Sequence, residues 1–355
     1  MNNAKGRIDW IDIAKGITIL TVIIGHTCGG ALRGIIFSFH MPIFFILSAI
    51  TFKYSRDNAS FKANFKKSFI HLIIPAIALF FISLAYDICL NPNVASVGEF
   101  WRNKLYMLVF ASGVKTNFDN VYVPALGMPW FLFALFIGRN IFDFLQMKFS
   151  RHTLIIICTV SSLIGVIFGI TSHWLPFSLD VVLAIMPFFY FGYYLKTKPK
   201  NYNAKSEKTG KSILRLTICL IIWIFTFYLT TTNSFTSSYL ELAIRRYPLF
   251  PICYVCAISA TLAIAEISKL LSKLKEFIEP LKILGKNSLY LYILHSIDGV
   301  WKFLWDSPNG VIGTLNKVAV DLILFIIVLL AVNLIGKWIL QINSKNDLPI
   351  LNSTI

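Results

Sequence analysis

Residues 11–30 read IDIAKGITILTVIIGHTCGG. About twenty apolar residues suffice to cross a bilayer as a helix, and this run is long enough. It also carries groups that a lipid-facing helix avoids: Asp12 and Lys15 in its first turns and His26 towards its far end. Lys15 and His26 are eleven residues apart, about three helical turns, so both fall on one stripe ~16 Å apart along the axis. Asp12 lies three residues before Lys15, within pairing reach on the same face.

The rest of the chain has the same character. Of 355 residues, 56% are hydrophobic and only 14% charged, against about 25% charged in soluble domains, and the mean hydropathy is +0.69. Too few polar residues remain to coat a soluble enzyme, and the pattern excludes a disordered chain or a secreted disulfide scaffold. Long unbroken apolar runs, rather than alternation, exclude a porin-like barrel. The predicted fold is all-α, a polytopic bundle of about ten spanning helices at 11–30, 34–52, 69–88, 129–146, 153–171, 179–195, 213–231, 246–266, 283–303 and 313–340. One membrane domain over 1–345 is expected, with a short tail at 346–355. The first apolar run, broken by Asp12 and Lys15, does not read as a cleavable signal.

The net charge of +16 fits the surplus of Lys and Arg that membrane proteins keep on the cytoplasmic side. No nucleic-acid motif accompanies it, and no nucleic-acid partner is expected. With ten spans and both termini cytoplasmic, the inner segments and adjoining span ends hold twenty-one Lys and Arg residues and the outer ones seven. The run 99–112 is short and crowded by Glu99, Arg102 and Lys104. Were it to cross, the lysine-rich loops 196–212 and 267–282 would turn outward, so it reads as an interfacial or re-entrant helix on the outer side. This places a multi-pass protein in the plasma membrane, with the bilayer as its first partner. The sequence carries no signal of oligomeric state. The six cysteines sit mostly inside apolar runs, where a thiol packs as a small hydrophobe. Cys253 and Cys256 lack the second pair or nearby histidine that a metal or redox motif needs.

Ionisable groups inside spans are functional candidates. His71, His152 and His173 fall at helix ends or in loops. His26, His40 and His295 fall inside three different spans at similar depth in the outer half, which points to a shared polar cavity. No acidic cluster accompanies the three imidazoles, so no metal site is predicted. Lys286 and Asn287 lie at the inner level of their span, and Ser288, Tyr292 and His295 run up from them towards the cavity.

Four stretches, in order, carry a resemblance. Arg7-Ile-Asp9-Trp-Ile-Asp12-Ile-Ala-Lys15-Gly16 leads to Gly25-His26; Phe39-His40-Met41-Pro42-Ile-Phe44-Phe45-Ile-Leu47-Ser48 follows; then Pro129-Trp130-Phe131-Leu132; then Gly285-Lys286-Asn287-Ser288 through Tyr292 to His295. Together they resemble acyltransferase family 3, a family of integral membrane proteins. Lys15 stands where many members have Arg, like the branch that resembles fucose 4-O-acetylases, and Ala49 replaces the family's Gly after Ser48. The resemblance implies transfer of an acyl group, usually acetyl from acetyl-CoA, to a hydroxyl of a cell-surface or lipid-linked carbohydrate. Acetyl-CoA is then a co-substrate, with no resident cofactor, and the carbohydrate acceptor is the second partner.

The residues suit that chemistry. A sugar hydroxyl needs a base that titrates near the working pH, and imidazole is the natural choice. His26 is the candidate base. His40 and His295 are candidates for orienting the acceptor or holding the oxyanion; Asn287, Ser288 and Tyr292 lie along the same route. Trp130 is the first candidate to stack on a sugar ring, with Trp174, Tyr290, Tyr292 and Trp301 also available. Lys15, with Lys286 second and Asp12 in support, is the candidate anchor for the phosphates of acyl-CoA. Two routes stay open: direct attack on the thioester, or a transient acetyl-His26. The rival reading is a transporter or flippase for glycan or small organic acids, although two matching halves with broken helices are not visible.

The charge distribution predicts that alkaline phosphatase fused after residue 119 is active in cells and inactive when fused after residue 205. The reverse pattern would contradict this orientation.

Overall fold

The computed structural model describes residues 8–90, 92–93, 97–118, 121–171, 174–198, 209–233, 238–297 and 311–346. Trp301, His173, residues 298–303 of the ninth predicted span and nearly all of the tail lie outside the described residues. The helices are α1 (Asp9–Thr27), α2 (Gly30–Phe37), α3 (His40–Thr51), α4 (Asn58–Ser68), α5 (Ile74–Leu90), α6 (Gly98–Phe110), α7 (Trp130–Lys148), α8 (Arg151–Ile170), α9 (Leu179–Thr197), α10 (Thr209–Thr232), α11 (Ile252–Leu271), α12 (Glu279–Lys286), α13 (Ser288–Ser296) and α14 (Val311–Asn346). Among the described residues, nine helical segments are long and apolar enough to cross a membrane. The bundle is all-α and polytopic, as predicted.

Helix α1 is the axial element, packed against α2, α3, α11, α12, α13 and α14. Helix α9 is wrapped by α3, α7 and α8, and α10 lies against α11. The outer faces of α8 and α10 expose Ile156, Ile167, Ile221, Ile224, Phe225 and Tyr228, the surface that lipid would cover. Lipid is as apolar as leucine, so helices associate in it through close packing at small residues. Glycines do this here. A Cβ on Gly165 of α8 would stand 2.4 Å from the Ala184 amide of α9, and one on Gly192 of α9 2.5 Å from the Ile46 carbonyl of α3. The tightest contact joins α1 to α12: a Cβ on Gly16 would meet the Leu281 carbonyl at 2.2 Å, and one on Gly285 the Asp12 carbonyl at 1.7 Å. Lys282 at this junction reaches Asp9 at 3.2 Å and Glu279 at 3.1 Å. The hydrogen bond from Lys282 holds the Glu279 carboxyl below the ordinary range. That pairing is complete above the usual carboxylate pKa and fades as pH falls through the lowered one.

Three breaks in the helices matter. The predicted span 34–52 bends between α2 and α3 at Ser38 and Phe39. Proline at position 42 has no N–H and its ring clashes with the carbonyl four residues back, which is that of Ser38. The polar groups at the bend are re-satisfied: Ser38 Oγ donates to Ile35 O at 2.7 Å and Trp223 Nε1 donates to Ser38 Oγ at 3.2 Å. The predicted span 283–303 is not one helix. It is split at Asn287, whose backbone leaves the helical region (φ −113°, ψ 20°) and whose Nδ2 donates to Ile283 O at 2.9 Å. This segment is therefore not among the nine continuous spans. The third break is a π turn, Phe69–Ile73, between α4 and α5.

The segment 99–112 forms the short helix α6, which is not among the spans. It is tied to α5 by the Lys104–Asp87 ion pair and exposes Trp101 and Leu105. After it comes a two-stranded hairpin, β1 (Thr116–Phe118) against β2 (Val121–Val123), antiparallel with Thr116 opposite Val123. Three-residue strands leave no periodicity to read, and the sequence did not foretell them.

Gly285→Ala is expected to cost at least about 3 kcal/mol through overpacking, seen as a large fall in the melting temperature of detergent-solubilised protein. Gly210→Ala, where a Cβ meets nothing within 4 Å, is the control and is expected to be neutral. Equal melting temperatures for the two variants would contradict the packing.

Candidate active site

The two ends of the α1 stripe open into two cavities. Lys15 lines one of about 190 Å³, together with Ser48, Thr51, Arg139, Ser288 and Tyr292. His26 lines the other, of about 180 Å³, together with Arg33, His40, Trp130, Glu241 and Tyr292. Tyr292 belongs to both. Its hydroxyl donates to the Met128 carbonyl, and its ring meets Phe131 edge-on with centroids 5.6 Å apart. The cavities are therefore stacked in series along α1, with Tyr292 as the partition. From the sequence alone, Tyr292 is a candidate to meet the substrate or the oxyanion. Its hydroxyl hydrogen is already committed to a carbonyl, and its place is in the wall.

The three in-span histidines do meet. The His26 ring centroid lies 5.5 Å from that of His295 and 6.4 Å from that of His40. Three elements converge to bring this about: α1 supplies His26, the first turn of α3 supplies His40, and α13, set against α1 by the Gly285 contact, supplies His295. Of the three, His26 is exposed, while His40 and His295 are buried. Nδ1 of His40 donates to Ile36 O at 3.2 Å. In the neutral ring this leaves Nε2 as an acceptor. Phe37 packs against both His40 (4.4 Å) and His26 (5.5 Å), fixing their rings at the bend.

His295 has a partner that the sequence reading missed. Its Nδ1 donates to Oδ2 of Asp321 at 3.1 Å, and both side chains are fully buried. Lys317, one turn before Asp321 on α14, is buried too. The rule that flagged the histidines, an ionisable group inside an apolar span, applies equally to these two residues in the predicted span 313–340. Arg139 was missable in the same way. It is half-buried, over the Phe52 ring at 4.9 Å, and gives the Lys15 cavity a second cation.

At the mouth of the histidine cavity, Arg33 approaches Glu241 at 3.9 Å and lies over Phe37 at 4.8 Å. Glu241 also faces Arg246 at 3.7 Å. Burial pushes the Glu241 carboxyl above its ordinary range, against the pull of Arg246 and Arg33.

The other predicted site residues fall as follows. Trp130 lines the histidine cavity, backed by Gly113. Ser288 lines the lysine cavity. Asp12 is buried, its carbonyl pressed on Gly285. Lys286 is exposed, pairs with Glu279 at 3.5 Å and lines neither cavity, because the break at Asn287 turns it away from the α13 stripe. Asn287 serves that break. Trp174 stacks under the Arg245 guanidinium at 3.7 Å, a structural use, and Tyr290 is exposed. Among the described residues no group of three or more His, Cys, Asp or Glu side chains is placed to hold a metal ion.

The architecture defines a multi-pass membrane protein with a polar interior built around one axial helix. A family model described as an acyltransferase domain matches residues 8–342, nearly the whole chain; the chain belongs to this family and is an acyltransferase. Neither a curated protein nor a solved structure matches it.

Removing the partition's hydrogen bond leaves the Met128 carbonyl without its donor, a loss worth about 1–3 kcal/mol. Tyr292→Phe is accordingly expected to lower the melting temperature of the solubilised protein. An unchanged melt would mean that this bond does not hold the partition.

Proposed function

We propose that the protein is a membrane O-acyltransferase that moves an acetyl group from cytosolic acetyl-CoA to a hydroxyl of a cell-surface or lipid-linked carbohydrate in the plasma membrane, in the manner of the branch that resembles fucose 4-O-acetylases. The observation that carries this reading is the stacking of a cavity with two cations, Lys15 and Arg139, under a cavity lined by two imidazoles, His26 and His40, along α1, with His295 buried behind His26. The positive-inside distribution of Lys and Arg supports a cytosolic position for the Lys15 end. Lys15 and Arg139 there attract the phosphates of acyl-CoA. The rise of α1 from Lys15 to His26, ~16 Å, suits an extended pantetheine arm.

In the histidine cavity, His26 takes the proton of the acceptor hydroxyl as the oxygen bonds to the thioester carbonyl carbon. The tetrahedral oxyanion collapses with cleavage of the C–S bond. The proton then passes from His26 to the departing thiolate, leaving an ester and CoA thiol. His40, with Nε2 as an acceptor, suits holding a neighbouring hydroxyl of the acceptor sugar better than support of an oxyanion. Trp130 offers an aromatic face to a sugar ring. Tyr292 must swing from the Met128 carbonyl for the acyl group to pass.

A transporter is the second reading, favoured by one observation: two cavities on either side of a partition are also the form of a gated path. Purified protein separates the two readings. The wild type is expected to release CoA and label a glycan acceptor. His26→Ala should lower the rate by at least about 100-fold, the scale of general-base catalysis, and Lys15→Ala should act mainly on the KM for acetyl-CoA. CoA release at the wild-type rate by the His26 variant would overturn the assignment. Glycan flux across proteoliposomes without acyl transfer would favour the transporter.

A further inference from the structure

The proposed mechanism leaves the carboxylate of Asp321 unused. Asp321 lies inside the last span, fully buried, with Oδ2 accepting from His295 Nδ1 at 3.1 Å. Among the described residues no donor reaches its other oxygen, Oδ1. A carboxylate within a membrane span is costly, and an under-satisfied one more so. If joining α13 to α14 were its only task, two apolar side chains would serve better.

Its position suggests another task. Carboxylate, buried imidazole and exposed imidazole follow one another: Asp321, then His295, then His26 at a ring separation of 5.5 Å, opening into the cavity. We propose that Asp321 is a positioning residue for acyl transfer, holding the hydrogen of His295 on Nδ1 and, through that ring, compensating the positive charge that forms when His26 takes the acceptor's proton. This rests on the acyltransfer reading above. The logic is that of a carboxylate fixing the tautomer of a histidine whose second nitrogen serves the reaction.

The other charges around His26 make such compensation necessary. Arg33 on α2 lines the same cavity, and Lys317, one turn before Asp321 on α14, is a second, buried cation. His40 on α3 and His295 on α13 contribute imidazoles. Glu241 stands at the mouth, engaged with Arg33 and Arg246. Asp321 is the carboxylate on the His295 side.

The test compares wild type, Asp321→Asn and Asp321→Glu as purified full-length proteins. Asparagine keeps the shape and removes the charge. It is expected to lower kcat by at least about 10-fold, the lower end for a carboxylate behind a working histidine, with little change in the KM for acetyl-CoA. The base must be unprotonated to act, and losing the nearby negative charge disfavours its protonated form. The acid limb of the pH–rate profile is therefore expected to move to lower pH. Glutamate is expected to restore part of the rate. The pH dependence of His26 carbethoxylation by diethyl pyrocarbonate, read by mass spectrometry, gives the same comparison without turnover and is expected to shift the same way. An Asp321→Asn protein that elutes as the wild type does, with unchanged kcat and an unchanged carbethoxylation profile, would overturn the proposal. A wild type that transfers no acyl group would overturn the acyltransfer reading instead, and the carbethoxylation profile would then still decide whether Asp321 governs His26.

Discussion

Backbone laid directly on backbone, where α12 crosses α1 at Gly16 and Gly285, is the contact on which the interior depends. No side chain fits between the Asp12 carbonyl and Gly285. Because the two helices approach so closely, α13 starts against α1 and carries Ser288 into the lysine cavity, Tyr292 into the partition and His295 to within 5.5 Å of His26. A wider spacing would part all three from the α1 stripe together.

The polar interior follows from the same constraint. In lipid every buried polar group must find a partner within the protein, so charged and imidazole side chains collect where helices already meet. The structure shows this in pairs that tie elements together: Asp143 with Ser55, Asp180 with Arg245, and Glu266 with Arg215, Lys269 and Ser212. These ties join one side chain to another or to backbone within the packed interior. The cavities along α1 differ, because Lys15, His26 and Arg139 border space that a substrate could fill.

Much of this was legible in the sequence. Apolar runs gave nine of the ten predicted spans, charge parity kept 99–112 from crossing, and the similar depth of His26, His40 and His295 foretold their meeting. What stayed hidden was local backbone geometry. Nothing in the composition of 283–303 marks a break at Asn287, yet the break removes Lys286 from the stripe that Lys15 and Ser288 share. The hairpin at 116–123 is too short for periodicity. Helical spacing places Tyr292 on the stripe of α13, but its hydroxyl bond to Met128, which sets it between the two cavities, has no trace in the sequence. Asp321 carries a signal as strong as that of the histidines, an ionisable group inside an apolar span, but its partner lies 26 residues away, outside any pattern of pairs on neighbouring turns.

On the proposed route, a donor anchored at the Lys15 end reacts beside His26 only after passing Tyr292. A structure of the protein with a non-hydrolysable acetyl-CoA analogue tests it most directly. The expected result is phosphate density by Lys15 and Arg139, Tyr292 displaced from the Met128 carbonyl, and the acyl carbon against His26. An analogue that enters from the Arg33 and Glu241 mouth, or that ends in the lysine cavity with its acyl group sealed from His26 by an unmoved Tyr292, would contradict it.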